Sequence, residues 1–452
     1  MRTTFIFFAC AMLFACSQGD DQISEDLRCQ VGTYRLSTGA LIDIGLSSPG
    51  YLRWRTLDGR VGRISLNEDS QTWSGTLGWT ERAHPAQVTL GDCDNEKIEI
   101  TGIEGLDGEG EKVAVEVTDT RFKGADVELA GRLVMPIGET PVPIVIMVHG
   151  SEDSSALDYY HQQRTLPAQG IGVFVYDKRG TGSSSGEYTQ DFHLLAQDAA
   201  MAHATAIRLA ANRAAASGYF GGSQGGWVAP LAATLSDVDF VIASYGMAEG
   251  PLAENRDEIQ LSLRKAGYDQ EVLAKGKEIT DITGRLLVSN FKDGADDLAR
   301  VRSAYSSEPW FQLLEGGVTW EMISRPLWQF RIGYVFMDVG TSWDYQPLPV
   351  LREVEADMLW VLAGADSSAP PQRTREILTQ LQNEGLPIDV AYFPNTEHGI
   401  IRFETTEDGE QLSLGYAPGY FPLLTDWIST RQLGHVYEGA ELAPRAASTK
   451  VD

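Results

Sequence analysis

The chain has 452 residues, 43% hydrophobic and 22% charged, with a formal net charge of −27 and a sequence pI near 4.6. That length exceeds one ordinary domain and can bury substantial cores, and the apolar share excludes a disordered chain. The acidic balance works against nucleic-acid binding and against attraction to anionic lipid headgroups.

Met1-Arg2 gives a minimal positive start, and Thr4 to Ala15 is an apolar stretch too short to span a bilayer. It ends in Leu13-Phe14-Ala15-Cys16, where a small residue directly before a cysteine resembles the bacterial lipobox. Residues 1–15 therefore read as a lipoprotein signal peptide, with Cys16 lipidated as the mature first residue. The competing readings are ordinary cleavage with Cys16 incidental, or cleavage nearer Cys10, whose flanks fit less well. Lipidation would tether an exported protein to the bacterial cell envelope, facing the periplasm or the exterior, without a spanning helix. Of the remaining cysteines, Cys29 and Cys93 form a pair in an exported chain, where disulfides persist. Neither C-x-x-C spacing nor a His cluster appears, so no metal and no cofactor is expected.

Residues 16–110 are expected to form a small β-rich domain and its linker. Short alternating runs recur about every ten residues. They include Thr33-Tyr34-Arg35-Leu36, Leu41-Ile42-Asp43-Ile44, Tyr51-Leu52-Arg53-Trp54 and Lys97-Ile98-Glu99-Ile100. Turn residues separate them, a cadence that predicts an antiparallel sandwich or barrel. The run Gly105-Leu106-Asp107-Gly108-Glu109-Gly110-Glu111 reads as the linker.

From 111 to 247 strand and helix signals alternate, which predicts a mostly parallel sheet with helices on both faces. Pro143 to Val148 is a continuous apolar run of the buried parallel type, followed by His149-Gly150-Ser151. Gly221-Gly222-Ser223-Gln224-Gly225 is a G-x-S-x-G pentapeptide with a short strand before it and an apolar helical stretch, Trp227 to Leu235, behind it. A strand, a sharp turn and a helix would present Ser223 on a strained corner, the setting of a nucleophile elbow. Gly182-Ser183-Ser184-Ser185-Gly186 fits the same letters, but it sits in a polar run with no helix behind it and reads as a loop.

After Phe240 to Ser244 the alternation stops, and residues 248–346 become amphipathic and then aromatic, with Trp310, Trp320, Trp328 and Trp343. These read as an insertion whose tryptophans mostly pack its own core. The sheet pattern resumes over 347–436. Met358 to Leu362 is a strand-like run that places Asp366 on the loop past its C-terminal end, where open α/β sheets bind ligands. Asp357 precedes that strand and faces the wrong edge. Ile388 to Phe393 then leads to His398, whereas His435 lies beyond the last helical stretch. Residues 437–452 read as a flexible tail.

Taken in order, these residues assign Ser223 as nucleophile, Asp366 as the acid that orients the imidazole, and His398 as general base. The oxyanion donors are expected to be the backbone N–H groups of Gln224 and Ser151, with His149 structural. The chain resembles an α/β-hydrolase of the bacterial serine esterase and serine aminopeptidase-like group. The matching pieces are Val148 to Ser151, Val175 to Ser184, Gly221 to Trp227, Gly364 to Asp366, and Glu397-His398-Gly399. The resemblance implies an α/β-hydrolase sheet and makes 248–346 a helical cap that excludes water and shapes the pocket. Where many relatives have small residues after His-Gly-Ser, this chain has Glu152-Asp153.

The expected activity is hydrolysis of a small-molecule carboxylic ester through an acyl-enzyme. An exopeptidase of the same group is the alternative, with Glu152, Asp153 or a cap acid such as Glu321 anchoring a substrate amine. A non-catalytic envelope binding protein is the third reading, opposed by the complete Ser, Asp and His set. With the catalytic residues on a sheet separate from the N-terminal one, chemistry is expected to survive loss of a Cys29–Cys93 bond if that sheet folds independently.

Overall fold

The computed structural model describes residues 25–47, 51–67, 72–315, 317–434 and 436–445. The signal stretch and Cys16 lie outside the described residues.

Eight antiparallel strands make the first unit: β1 (Gly32–Leu36), β2 (Leu41–Leu46), β3 (Tyr51–Thr56), β4 (Val61–Asn67), β5 (Thr72–Thr76), β6 (Ala83–Leu90), β7 (Lys97–Thr101) and β8 (Gly108–Lys112). β8 pairs with both β7 and β1, so the sheet closes into a barrel and leaves no open edge. Alternate side chains, among them Ile42, Ile44, Trp54, Ile64, Val88 and Ile100, fill its interior. The expected linker is thereby corrected, because residues 108–112 are the closing strand and the crossing to the next domain falls at Val113-Ala114. The closing strand misleads because its five residues are all Gly, Glu and Lys. Gly110 is required by the fit, since a Cβ there would come 2.8 Å from Arg35 O. A Cys29–Cys93 disulfide, with Cα atoms 5.4 Å apart, ties the helix Glu25–Gln30 to the loop between β6 and β7.

The second unit is a nine-stranded sheet. Its strands are β9 (Val115–Lys123), β10 (Glu128–Pro136), β11 (Val142–Val148), β12 (Gly172–Tyr176), β13 (Ala214–Gly222), β14 (Phe240–Ser244), β15 (Asp357–Ala363) and β16 (Ile388–Phe393). A short β17 (Thr396–Glu397), β18 (Ile401–Thr405) and β19 (Gln411–Tyr416) form a separate three-stranded sheet, and β20 (Glu441–Ala443) returns to the edge of the large one. The order is β20-β16-β15-β14-β13-β11-β12-β10-β9, parallel from β12 to β16 through β11 and β13. Apolar helices cover both faces, and the two cores are large and continuous. The tail reading is corrected as well. Glu441–Ala443 pairs antiparallel with β16, and Arg445 lies 3.2 Å from Asp389 and pairs with Asp357. Three residues of edge strand are too few to give a period in the sequence.

Between β14 and β15 the cap is helical, over Pro251–Lys265, Gln270–Val288, Ala295–Tyr305, Gly317–Ser324 and Leu327–Met337. It has a core of its own that includes Leu263, Ile279, Leu286, Trp310 and Met322, with Trp320 and Trp343 packed against it. Trp328 departs from the expected packing and is 63% exposed. Among the described residues no helix is long and apolar enough to cross a membrane.

The barrel sits on the second unit. Asp43, 1% exposed in the barrel wall, accepts two hydrogen bonds from Arg164, at 2.7 and 3.0 Å, and one at 3.1 Å from Arg55. Losing Arg164 would leave the buried Asp43 with Arg55 alone, and losing Asp43 would take this carboxylate from both arginines, so the contact ties the two units together.

Candidate active site

β13 ends at Gly222 and the helix Gly225–Ala233 begins two residues later, leaving Ser223 and Gln224 to make the turn. Ser223 sits at φ 54, a left-handed conformation that costs an L-residue energy and recurs at functional corners. The glycines around it are there for space. A Cβ on Gly221 would collide with Gly225 O, one on Gly222 with the Tyr245 ring, and one on Gly225 would lie 2.8 Å from Val148 O. Ser223 N–H donates to Ser244 O at 3.0 Å, which ties the turn to β14.

Asp366 follows β15 and is 1% exposed. Its Oδ1 accepts from the N–H groups of Ser368 (3.0 Å) and Ala369 (2.8 Å), leaving Oδ2 free to face His398 Nδ1 at 2.9 Å. An acceptor carboxylate at Nδ1 places the proton there, so Nε2 is the acceptor toward Ser223 Oγ, 3.0 Å away. The acid and histidine loops also hold each other, as Ala365 N–H donates to Thr396 O at 2.8 Å. Tyr245 packs edge-on against the His398 ring at 5.1 Å.

The loop after β11 flanks this line. An added Cβ on Gly150 would lie 3.6 Å from Ser223 Cβ. Lys178, 1% exposed, donates from Nζ to Gly150 O at 2.7 Å, and Gln224 Nε2 approaches the same oxygen at 3.4 Å. In a trans peptide the Ser151 N–H points opposite to the Gly150 carbonyl, so Lys178 sets the direction of that donor. Tyr188 Oη donates to Ser151 O at 2.5 Å, and the Lys178 ammonium lies 4.6 Å from the Tyr188 ring centroid. His149 is structural, with Nε2 donating to Tyr176 O at 2.6 Å and Nδ1 3.3 Å from Glu152 Oε1. Burial would raise the Glu152 carboxyl, but His149, the Tyr160 hydroxyl that donates to it, and the Lys178 charge hold it at about 2. Burial pushes the Lys178 ammonium down to about 8, against Glu152 and Asp153. Glu152 is thus committed to its own loop.

Ser184 is held elsewhere, its hydroxyl donating to Asp177 O at 2.6 Å and accepting from Ala130 N–H at 2.9 Å. Asp357 pairs with Arg445 at the opposite end of β15. Glu321 is ion-paired with Arg325, the residue just past its own helix.

Two cap acids did not stand out in the sequence. The helix Pro251–Lys265 brings Glu254 and Glu258, one turn apart, within electrostatic reach of Asp366. Burial, Glu258 and Asp366 raise Glu254 well above the carboxylate range, and burial with Asp366 pushes Glu258 up to about 8. Their four-residue spacing was the available signal, but without the cap's placement it matches any solvated helical face. Among the described residues no group of His, Cys, Asp and Glu is placed to hold a metal ion.

A strand-end serine with a histidine and a buried aspartate in line is the arrangement of serine hydrolases. Residues 139–247, which hold the Gly150 loop and the elbow, match the family described as serine aminopeptidase, S33. The match lies within the nine-stranded sheet, which has the α/β-hydrolase fold. No curated protein matches it. Among solved structures it is similar to the acylaminoacyl peptidase of Pyrococcus horikoshii at 16% identity and TM-score 0.43. That similarity covers 88% of this chain and 57% of that one, so the chain spans little more than half the length of the peptidase. It is also similar to an esterase of Pyrococcus furiosus at 15% identity and TM-score 0.38, covering 64% of this chain and 86% of that one.

Proposed function

We propose that the protein hydrolyses carboxylic esters through an acyl-enzyme on Ser223. The observation that carries this reading is the unbroken line Ser223 Oγ–His398 Nε2 (3.0 Å) and His398 Nδ1–Asp366 Oδ2 (2.9 Å). His398 takes the Ser223 proton as the oxygen attacks the carbonyl, and Asp366 stabilises the imidazolium. The Gln224 and Ser151 N–H groups receive the oxyanion, Gln224 also lying at the positive end of the helix Gly225–Ala233. The imidazolium then protonates the leaving alcohol, and a water activated by His398 releases the acid.

A second reading, aminopeptidase chemistry on the same triad, is favoured by Glu254 and Glu258. A substrate ammonium beside these carboxyls would restore their ionised form and gain from the low dielectric there. One assay separates the two: p-nitrophenyl esters of graded acyl length beside aminoacyl-p-nitroanilides. Ester turnover with inert anilides supports the esterase. Efficient anilide turnover that needs a free amine supports the peptidase.

We also propose that Cys16 is acylated and anchors the protein to the bacterial cell envelope. The small residue before Cys16, at the end of a short apolar stretch, supports this.

A further inference from the structure

His398 does not sit on the nine-stranded sheet. It opens the three-residue tip between β17 and β18, where Thr396 pairs with Arg402 and Glu397 with Ile401. The tip is strained. Gly399 has φ 84 and Ile400 φ 59, and a β-branched residue adopts the left-handed region only where its surroundings impose it. Part of that constraint is Ala417 N–H donating to Ile400 O at 3.0 Å, just beyond β19. β19 in turn pairs along the length of β18, from Ile401 opposite Tyr416 to Thr405 opposite Gln411.

The outer strand β19 lies on the barrel. Tyr416 N–H donates to Gly59 O at 2.8 Å, Trp79 N–H donates to Ser413 O at 3.0 Å, and Arg60 forms a bridge with Gly415. Both turns approach through glycines in the left-handed region, Gly59 at φ 85 and Gly78 at φ 60, and a Cβ on either would collide with Tyr416 O or Ser413 O. Arg82 adds two hydrogen bonds to Glu404 of β18, at 2.9 and 3.1 Å. Back across the small sheet, the Ser413 hydroxyl donates to the carboxylate of Glu397, the residue before His398.

We infer that the N-terminal barrel is a positioning element for the catalytic base, gripping β19 and through it the tip that carries His398. The inference rests on the reading of His398 as that base. Among the described residues, none in the barrel hydrogen-bonds the Ser223, Asp366 or His398 side chain, so its effect falls on geometry, where a displacement of about 1 Å costs on the order of 100-fold in rate. On this inference the chemistry depends on the N-terminal domain, against the expectation that it survives without the Cys29–Cys93 bond.

The test uses the full chain with Gly59→Val and Gly78→Val, each of which wedges a barrel turn away from β19. Active sites are titrated with a fluorophosphonate, kcat and KM are measured on a p-nitrophenyl ester across pH, and amide exchange is followed by mass spectrometry. The expected result is kcat per titrated site reduced tenfold or more, KM within about twofold, and a shifted acid limb of the kcat–pH profile. Amides of 397–405 should exchange faster while those of β13 to β15 keep their protection. Faster exchange at 397–405 with normal kcat per site overturns the inference, as does unchanged exchange there.

If the variants do not fold, exchange in the wild-type chain after reduction of Cys29–Cys93 decides. Protection of 397–405 should fall with that of the barrel strands, and retention while the barrel amides exchange overturns the inference. A wild-type chain that neither turns over esters nor reacts with the fluorophosphonate would instead sink the functional reading, and the exchange arm would still judge the mechanical coupling.

Discussion

Lys178 Nζ stands 2.7 Å from Gly150 O, and this one hydrogen bond links a buried ammonium to the peptide whose N–H borders the nucleophile. A cation under that carbonyl fixes the Gly150–Ser151 peptide plane and strengthens its dipole. The loop is held from its other side by Tyr188, through Ser151 O.

Lys178→Met should therefore lower kcat by about 100-fold with little change in KM, the pattern for a group that serves only the transition state. The measurement is steady-state kinetics on a p-nitrophenyl ester beside a thermal melt. A rise in KM at constant kcat would place Lys178 in ground-state binding instead.

Glu258 is pushed from its ordinary 4.5 to about 8 by burial and then Asp366, and Glu254 is raised still more clearly. A folded-state value above the unfolded one means that the native state holds the extra protons. Stability is thus full below about 4.5 and falls as pH rises toward about 8. Glu258→Gln should flatten the decline of melting temperature across that window, and parallel curves for wild type and variant would contradict it. In the peptidase reading the same substitution also raises KM for amine-bearing substrates alone.

Loss of the Cys29–Cys93 bond should weaken the barrel first. The bond closes a sequence separation of 64 residues, for which chain entropy gives about 4 kcal/mol, less any native-state strain. A Cys29→Ser/Cys93→Ser variant should show a lower first melting transition, and ester turnover should fall over that same transition. Turnover that survives until the catalytic sheet melts would separate the barrel from the chemistry.

Cys16→Ser should shift the protein from the detergent-soluble membrane fraction to the aqueous one, with the acyl mass lost from the mature N-terminus. A wild-type N-terminus at another residue, without added acyl mass, would remove the anchor.

The triad was legible because each member follows a short strand-like run, and a strand's C-terminal end fixes where the next loop lies. Ser223, Asp366 and His398 all have that context, while Ser184 and Asp357 lack it. What the sequence hid was carried by packing between distant segments. Glu254 and Glu258 look like ordinary helix-surface acids until the cap is folded over Asp366. Gly105 to Glu111 reads as a linker because the closing barrel strand that begins at Gly108 needs backbone partners and a small inward residue, not an apolar run. The grip of Gly59 and Gly78 on Tyr416 and Ser413 leaves no trace in period or composition. A glycine in a turn looks the same whether or not another backbone lies against it.

Covalent labelling shows directly whether Ser223 is the nucleophile. A fluorophosphonate incubated with the wild-type chain, followed by peptide mapping, should place the adduct on Ser223. Ser223→Ala should abolish both labelling and ester hydrolysis with the fold intact, whereas Ser184→Ala should label normally at the cost of about 2 kcal/mol in stability for its two lost hydrogen bonds. An adduct on Ser184, or ester turnover undiminished in Ser223→Ala, would contradict the account.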